Sequence, residues 1–498
     1  MASRRDELNA YVFAKRRLVA QFLHPTGNGS EEGAPRPLRA ILPGVLAGAV
    51  GLAGFGAWGM LRPAAPPEWD KAYANVIVAN PSTTRYVVLR TKGVERLHPV
   101  LNMASARLLV NANHDGEASV IRVADSVIDD PKVVRGPTVG IPYAPDRLPS
   151  RREAVAAKRW IVCDRPQSGG RDVQTAVFVF AAKEGMGSQQ RLPDGKFLYV
   201  RSTGRDGKHY LVDAAGTSYE IRTADALLVR LLVGTEAPHQ VSEEWLKTLH
   251  QGPPLAMPEV PGANSVSHAP GLRPEHNRVG TLLSGPEGSR TQRYVVLRDR
   301  VARVTEFVAM LLRGSGKLPP PPPGEDSPTV HGLTPGADFV PPGSGRWPRH
   351  ASTARATFGT ACSVLRSVNR STGETTLDIW SGRDFPHPLP STSPSYVTPG
   401  SGHLFRQFTG HRTDVGPVFL ATDAGFRHTI QTKGIAEPGD AGYRDGPDPA
   451  ADMRAPKTAM DLLGYSGAPY APIPEAWSSL LPTGPRLSTG AAVQVQGS

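Results

Sequence analysis

The sequence predicts an α+β, β-rich protein: a single N-terminal transmembrane helix, then an extracytoplasmic region of four repeat domains around a central β-rich domain, built by a pseudo-twofold internal duplication. Three observations lead there. A 22-residue stretch, Ala40–Leu61, carries no charge. The hexamer RYVVLR occurs at Arg85–Arg90 and again at Arg293–Arg298, 208 positions on. The only two cysteines, Cys163 and Cys362, fall at matching places in the two halves so defined.

Length and composition set the bounds. A chain of 498 residues has room for two to four domains. Its 52 Gly and 49 Pro, about a fifth of the chain, imply many turns and ordered loops around modest cores. The formal charge of +11 comes without a run of five Lys or Arg, zinc-finger spacing or Arg interleaved with aromatics. Arginine-rich usage of a GC-rich genome accounts for it, and nucleic-acid binding is set aside.

Residues 1–39 read as a basic amphipathic segment, with Leu8, Tyr11, Val12, Val19, Phe22 and Leu23 recurring at three- and four-residue steps. Such a helix fits an anionic headgroup layer or a partner protein equally well. The uncharged stretch 40–61 reaches roughly 33 Å as a helix, enough for a hydrocarbon core. It begins too far from Met1, and is too long, for a signal peptide. Arg4, Arg5, Lys15, Arg16, Arg17, Arg36 and Arg39 precede it, whereas Arg62 and Lys71 alone follow closely. The basic flank belongs in the cytoplasm, so the bulk of the chain is expected outside. Gly44 and Gly48, and separately Ala49, Ala53 and Ala57, recur at four-residue spacing, which lets a second helix approach closely; ordinary span composition is the alternative.

Four segments share a β-rich start, a turn, a second strand and an Ala/Leu-rich helix, beginning at Tyr86, Tyr210, Tyr294 and, more weakly, Phe419. The first two starts are 124 residues apart and the last two 125. Between the members of each pair lie a Pro/Gly-rich linker, a strand with a cysteine (RWIVCD, TACSVL) and, fourteen residues after that cysteine, another strand. One hexamer is compatible with chance, but the doubled order is not. The expected units are repeat 1 at 70–130, a first central half at 131–200, repeat 2 at 201–255 and repeat 3 at 275–316. A Pro-rich linker at 317–345, a second central half at 346–410, repeat 4 at 411–470 and a tail at 471–498 complete the chain. If the halves pair about a twofold, Cys163 and Cys362 meet on the axis, and an outward-facing chain favours their oxidation; two buried thiols or a shared metal are the alternatives.

No catalytic, cofactor-binding or metal-ligating residue is nominated. GSGKL (Gly314–Leu318) lacks the earlier Gly and the final hydroxyl of a phosphate loop, and prolines follow at once. It reads as a helix end. His98, in HPVLN, reads as a turn or capping residue, and the acidic stretch Glu437–Asp452 as a solvated loop rather than a calcium site.

Several motifs stand out together: AYVFAKRRLVAQFL before the apolar stretch, HPVLNMASARLLV in the first repeat, GIPYAPDRLP, the two cysteine strands, VSEEWLKTLHQGPPL and LLPTGPRLSTGAA. With them the chain resembles the EccB family, the single-pass membrane component of the type VII (ESX) secretion system of actinobacteria. The resemblance implies a structural core subunit assembling with EccC, EccD and EccE, and an elongated outer part closed by a disulfide between Cys163 and Cys362. It also implies repeats similar to a phage-lysin cell-wall-binding fold, which motivates peptidoglycan contact. Members of the family are described as ATPases, so an ATP-hydrolysing enzyme of the same apparatus is the alternative; the residues nominate no site for it.

Overall fold

The computed structural model describes residues 3–23, 38–61, 65–110, 119–320, 334–350, 359–432 and 458–496, apart from 92, 168–171, 188, 223–224, 288–289 and 391–392. The middle of the Pro-rich linker and the acidic stretch Glu437–Asp452 thus lie outside the described residues.

Two helices come first, α1 (Arg4–Leu23) and α2 (Leu38–Leu61). The expected span lies in α2, which is 24 residues long and contains Pro43. The side chains described in it run from Ile41 to Gly56, and among the described residues no helix is long and apolar enough to cross a membrane.

A first small sheet follows: β1 (Asn75–Asn80), β2 (Arg85–Thr91), β3 (Val94–Pro99), then α3 (Met103–Val110), β4 (Ser119–Ala124) and α4 (Asp125–Ile128). Helix α5 (Arg151–Val155) leads into the hairpin β5 (Lys158–Pro166) and β6 (Val173–Ala181), then β7 (Gln190–Arg191). The second small sheet holds β8 (Phe197–Ser202), β9 (His209–Asp213), β10 (Thr217–Ile221), β11 (His239–Val241) and β12 (His250–Gln251), with α6 (Ala226–Val233) and α7 (Glu243–Lys247) between them. The third has β13 (Leu282–Glu287), β14 (Arg290–Val296), β15 (Val301–Val304) and α8 (Glu306–Gly314). A second hairpin, β16 (Thr360–Val368) and β17 (Thr375–Gly382), precedes β18 (Ser395–Val397). The fourth small sheet has β19 (Gly402–Phe408), β20 (Val418–Thr422), β21 (Arg427–Thr429), α9 (Ala459–Leu462), β22 (Ala471–Pro474) and α10 (Glu475–Ser478), and α11 (Thr489–Ala492) follows.

The first, second and fourth small sheets share one strand order, β4-β1-β2-β3, β11-β8-β9-β10 and β22-β19-β20-β21. Each is an antiparallel three-strand meander whose first strand gains a parallel partner after an intervening helix. Among the described residues the third sheet has the meander and helix alone. In all four the chain then returns alongside the third strand, as bridges Leu97–Arg135, Ile221–Leu255, Ala302–Gly336 and Arg427–Thr483 record. The short helices form because their ends are capped: Ser150, Asp225, Ser242 and Thr305 accept from the third helical amide, and Thr458 and Asp461 make a capping box. Helices of four to nine residues are not stable alone and depend on the sheets beneath them.

Tyr86, Tyr210, Tyr294 and Phe419, where the similar segments begin, each lie in the second strand of a sheet. The sheets therefore begin earlier, at Asn75, Phe197, Leu282 and Gly402. The boundaries expected at 201 and 411 fall inside or beyond a first strand, because NVIVAN, FLYVRS and GHLFRQF share no residue pattern: a strand flanked on both sides needs only apolar inward positions, which many sequences supply. Residues 471–496 of the expected tail instead supply the parallel strand of the fourth sheet, helix α10 and a bridge from Val495 to Val139 of the first half.

The six-stranded centre is made by both halves. Its order is β18-β6-β5-β16-β17-β7, with β5 and β16 antiparallel at the middle. Each brings its own hairpin partner, and the edges are exchanged: β7 pairs with β17 of the other half, β18 with β6. WIVCD and TACSVL are buried along nearly their whole length, which explains why they read as continuous apolar runs rather than alternating ones. The first and fourth sheets share one core, in which Val87, Leu108 and Leu109 meet Leu404, Leu420 and Tyr465. The second and third share another, in which Tyr199 and Leu228 meet Val295 and Phe307. A third core joins one face of the central sheet to the second and fourth sheets.

Candidate functional site: the cystine-centred junction

Cys163 and Cys362 stand directly opposite each other in the β5–β16 ladder and are joined by a disulfide. Both are fully buried, on the face that also carries Ile161, Phe178, Phe180 and Val364. Because side chains alternate along a strand, the residues after the cysteines, Asp164 and Ser363, face the other way. There they hold the two ends of α7. The Ser242 amide, at the helix start, donates to Asp164 Oδ2 at 2.6 Å, and the Thr248 and Ser363 hydroxyls meet at 2.7 Å at the helix end.

Asp164 is 1% exposed, and burial pushes its carboxyl up to about 6 against the opposing effect of the Ser242 amide. Its Oδ1 has no hydrogen-bond partner among the described residues. On the fourth-sheet side, Trp160 Nε1–H donates to His403 Nδ1 at 3.0 Å. Burial holds His403 neutral, down to about 3, with the Lys158 ammonium acting in the same direction. That ammonium is itself covered, reaches Glu153 at 3.7 Å, and is lowered by burial.

His98 is neither a turn residue nor a cap. It lies in β3, 3% exposed, with Nδ1 2.8 Å from the Pro137 carbonyl. His428 in β21 repeats the arrangement, Nδ1 3.0 Å from the Pro485 carbonyl. Each ring lies under a glycine that can bear no side chain: a Cβ on Gly136 would sit 2.1 Å from His98, and one on Gly484 2.3 Å from His428. The recurring Gly-Pro dipeptides at 136, 252 and 484 are the signal that could have located these crossings. Likewise SEEW and PEAW, ending at Trp245 and Trp477, mark the two tryptophans that seal the central core.

Gly314 closes α8 and Ser315 caps it, so the GSGKL stretch meets a helix through its carbonyl end; Lys317 pairs with Glu259 at 2.9 Å. Among the described residues no other segment lies within 4 Å of a Cβ built on Gly44 or Gly48. Ala49 and Ala53 are exposed, and the Ala57 side chain lies outside the described residues.

The family model described as "Type VII secretion system ESX-1, transport TM domain B" matches residues 1–498. The chain belongs to the EccB family. It is 30% identical over 350 residues to the protein named ESX-2 secretion system ATPase EccB2 of Mycobacterium tuberculosis (strain ATCC 25618 / H37Rv). That match spans 68% of this chain and 64% of the relative. The ESX-3 secretion system ATPase EccB3 of the same strain is 26% identical over 530 residues, covering 98% of this chain and 89% of the relative. The fold is that of a chain in an intact ESX-5 inner membrane complex, at a TM-score of 0.59, 22% identity and coverage of 100% and 96%. A chain of the EccB3 dimer from an ESX-3 core complex matches with TM-score 0.58, 21% identity and coverage of 84% and 100%.

Proposed function

We propose that this chain is a structural core subunit of a type VII secretion complex, anchored through α2 with its N-terminus in the cytoplasm and its bulk extending into the cell envelope. The observation that carries the reading is the frame itself. Both halves build one sheet joined by a disulfide, small sheets pack in pairs, first with fourth and second with third, and a separate core joins the central sheet to the second and fourth. Such a frame transmits position rather than turning over a substrate. The four small sheets are read as four repeats of one unit, duplicated as two plus two.

The anchor reading is supported by α2, whose 24 residues reach about 36 Å and whose Leu42, Val45, Val50, Leu52 and Phe55 are all more than 60% exposed. Apolar side chains so displayed need a lipid or helical surround. The partners are taken to be EccC, EccD and EccE, with peptidoglycan contact through the repeats. Pull-down of the detergent-solubilised, tagged protein is expected to recover those three subunits together; recovery of the chain alone overturns the assignment. Co-sedimentation of the same preparation with purified peptidoglycan tests the envelope contact, and protein left wholly in the supernatant rejects it.

A further inference from the structure

We propose that the contact between Asp164 and the start of α7 is a proton-controlled clasp, closing the second small sheet onto the central sheet when the carboxyl is neutral and loosening it when the carboxyl is charged. The geometry is specific. Asp164 comes from β5 and Ser242 from the second sheet's own cap, so the pair bridges two bodies that also meet through apolar packing, the Thr248–Ser363 and His250–Thr375 contacts, the Thr175 hydroxyl on Ser242 Oγ and the Ile379 amide on the Ala214 carbonyl. The carboxyl is 1% exposed and Oδ1 has no hydrogen-bond partner among the described residues, so its charged form sits in a place that gives one oxygen nothing.

The groups around it leave that balance in place. Thr175 on β6 and Ser242 favour the charged form through hydrogen bonds, whereas Glu244 on α7 opposes it by repulsion. Arg165, next in β5, does not neutralise it, because its guanidinium lies over Phe385 on the opposite face, 3.8 Å from Asp384. Burial outweighs the hydrogen bonds, and the carboxyl titrates at about 6 in the closed state. Opening restores the ordinary value of 3.8, so a rise in pH favours opening.

The test is hydrogen exchange of residues 243–249 in the detergent-solubilised full chain, corrected for intrinsic rates, between about pH 5 and about pH 7.5. Protection is expected to fall about tenfold across that interval, the ratio that follows from the two carboxyl values. Asp164→Asn should flatten the profile. Glu244→Gln, on the exposed side of α7, should keep the fall and move its midpoint to lower pH. A flat wild-type profile, an undiminished fall in Asp164→Asn, or an unmoved midpoint in Glu244→Gln overturns the proposal; the last holds even if the Asn variant does not fold.

Discussion

Trp245 and Trp477 fill one core from the two halves of the chain. Each sits in the short helix that follows the parallel strand added to its meander, α7 after β11 and α10 after β22, and neither is more than 1% exposed. Trp245→Ala and Trp477→Ala are each expected to cost about 3–5 kcal/mol in denaturant melts of the full chain. Because both line one core, the double variant should depart from the sum of the singles. A loss below about 1 kcal/mol at either position would remove that site from the core.

The disulfide joins strands 199 residues apart, so it restricts the unfolded chain more than a local one does. Cys163→Ser should lower stability by a few kcal/mol, up to about 5. Adding Cys362→Ser should cost no more, since the interaction belongs to the pair. Melting curves of the three variants check this; a double variant much weaker than either single one contradicts it.

Gly136→Ala and Gly484→Ala would each drive a methyl into a buried imidazole. Overpacking of this kind costs roughly 1–3 kcal/mol. Pairing Gly136→Ala with His98→Ala should recover part of that loss, which a melt of the double variant reads directly.

His403 makes the fold acid-sensitive. Folded, it stays neutral down to about 3; unfolded, it takes up a proton near 6.5. Below 6.5 protons therefore favour the unfolded chain, and stability falls as pH drops, by up to about 1.4 kcal/mol per pH unit for this group. His403→Gln retains an acceptor for the Trp160 indole and removes the titration. Its melting temperature should change less between about pH 6.5 and about pH 4 than that of the parent; identical slopes would show that His403 does not titrate on unfolding.

The small residues of α2 are predicted to serve assembly. Replacing Gly48 and Ala53 with Leu keeps the helix apolar and blocks close approach. The doubly substituted protein should fractionate with membranes yet be absent from the large complex on native gels. Normal assembly would reduce these residues to span composition.

Much of this protein is legible along one dimension. The equal spacing between repeated segments, the apolar runs around Cys163 and Cys362 and the family motifs all lie in the order of residues. They suffice for a β-rich fold of several small sheets and for membership of the EccB family. Boundaries are less legible, because a first strand such as Gly402–Phe408 has to meet only an inward apolar requirement and leaves no common pattern. Asp164 is invisible too: beside a cysteine in an apolar run it looks like a strand end, and its role depends on a helix start 78 residues away.

What tertiary structure alone decided is which parts meet. Sequence order makes neighbours of the first repeat and the first central strand, yet the first sheet packs with the fourth and the second with the third. Local preference sets a strand or a short capped helix, since those depend on residues a few positions apart. Exchanging β7 and β18, and seating Trp245 and Trp477 in one core, depend on surfaces that exist only once the sheets have formed, because apolar burial is indifferent to distance along the chain.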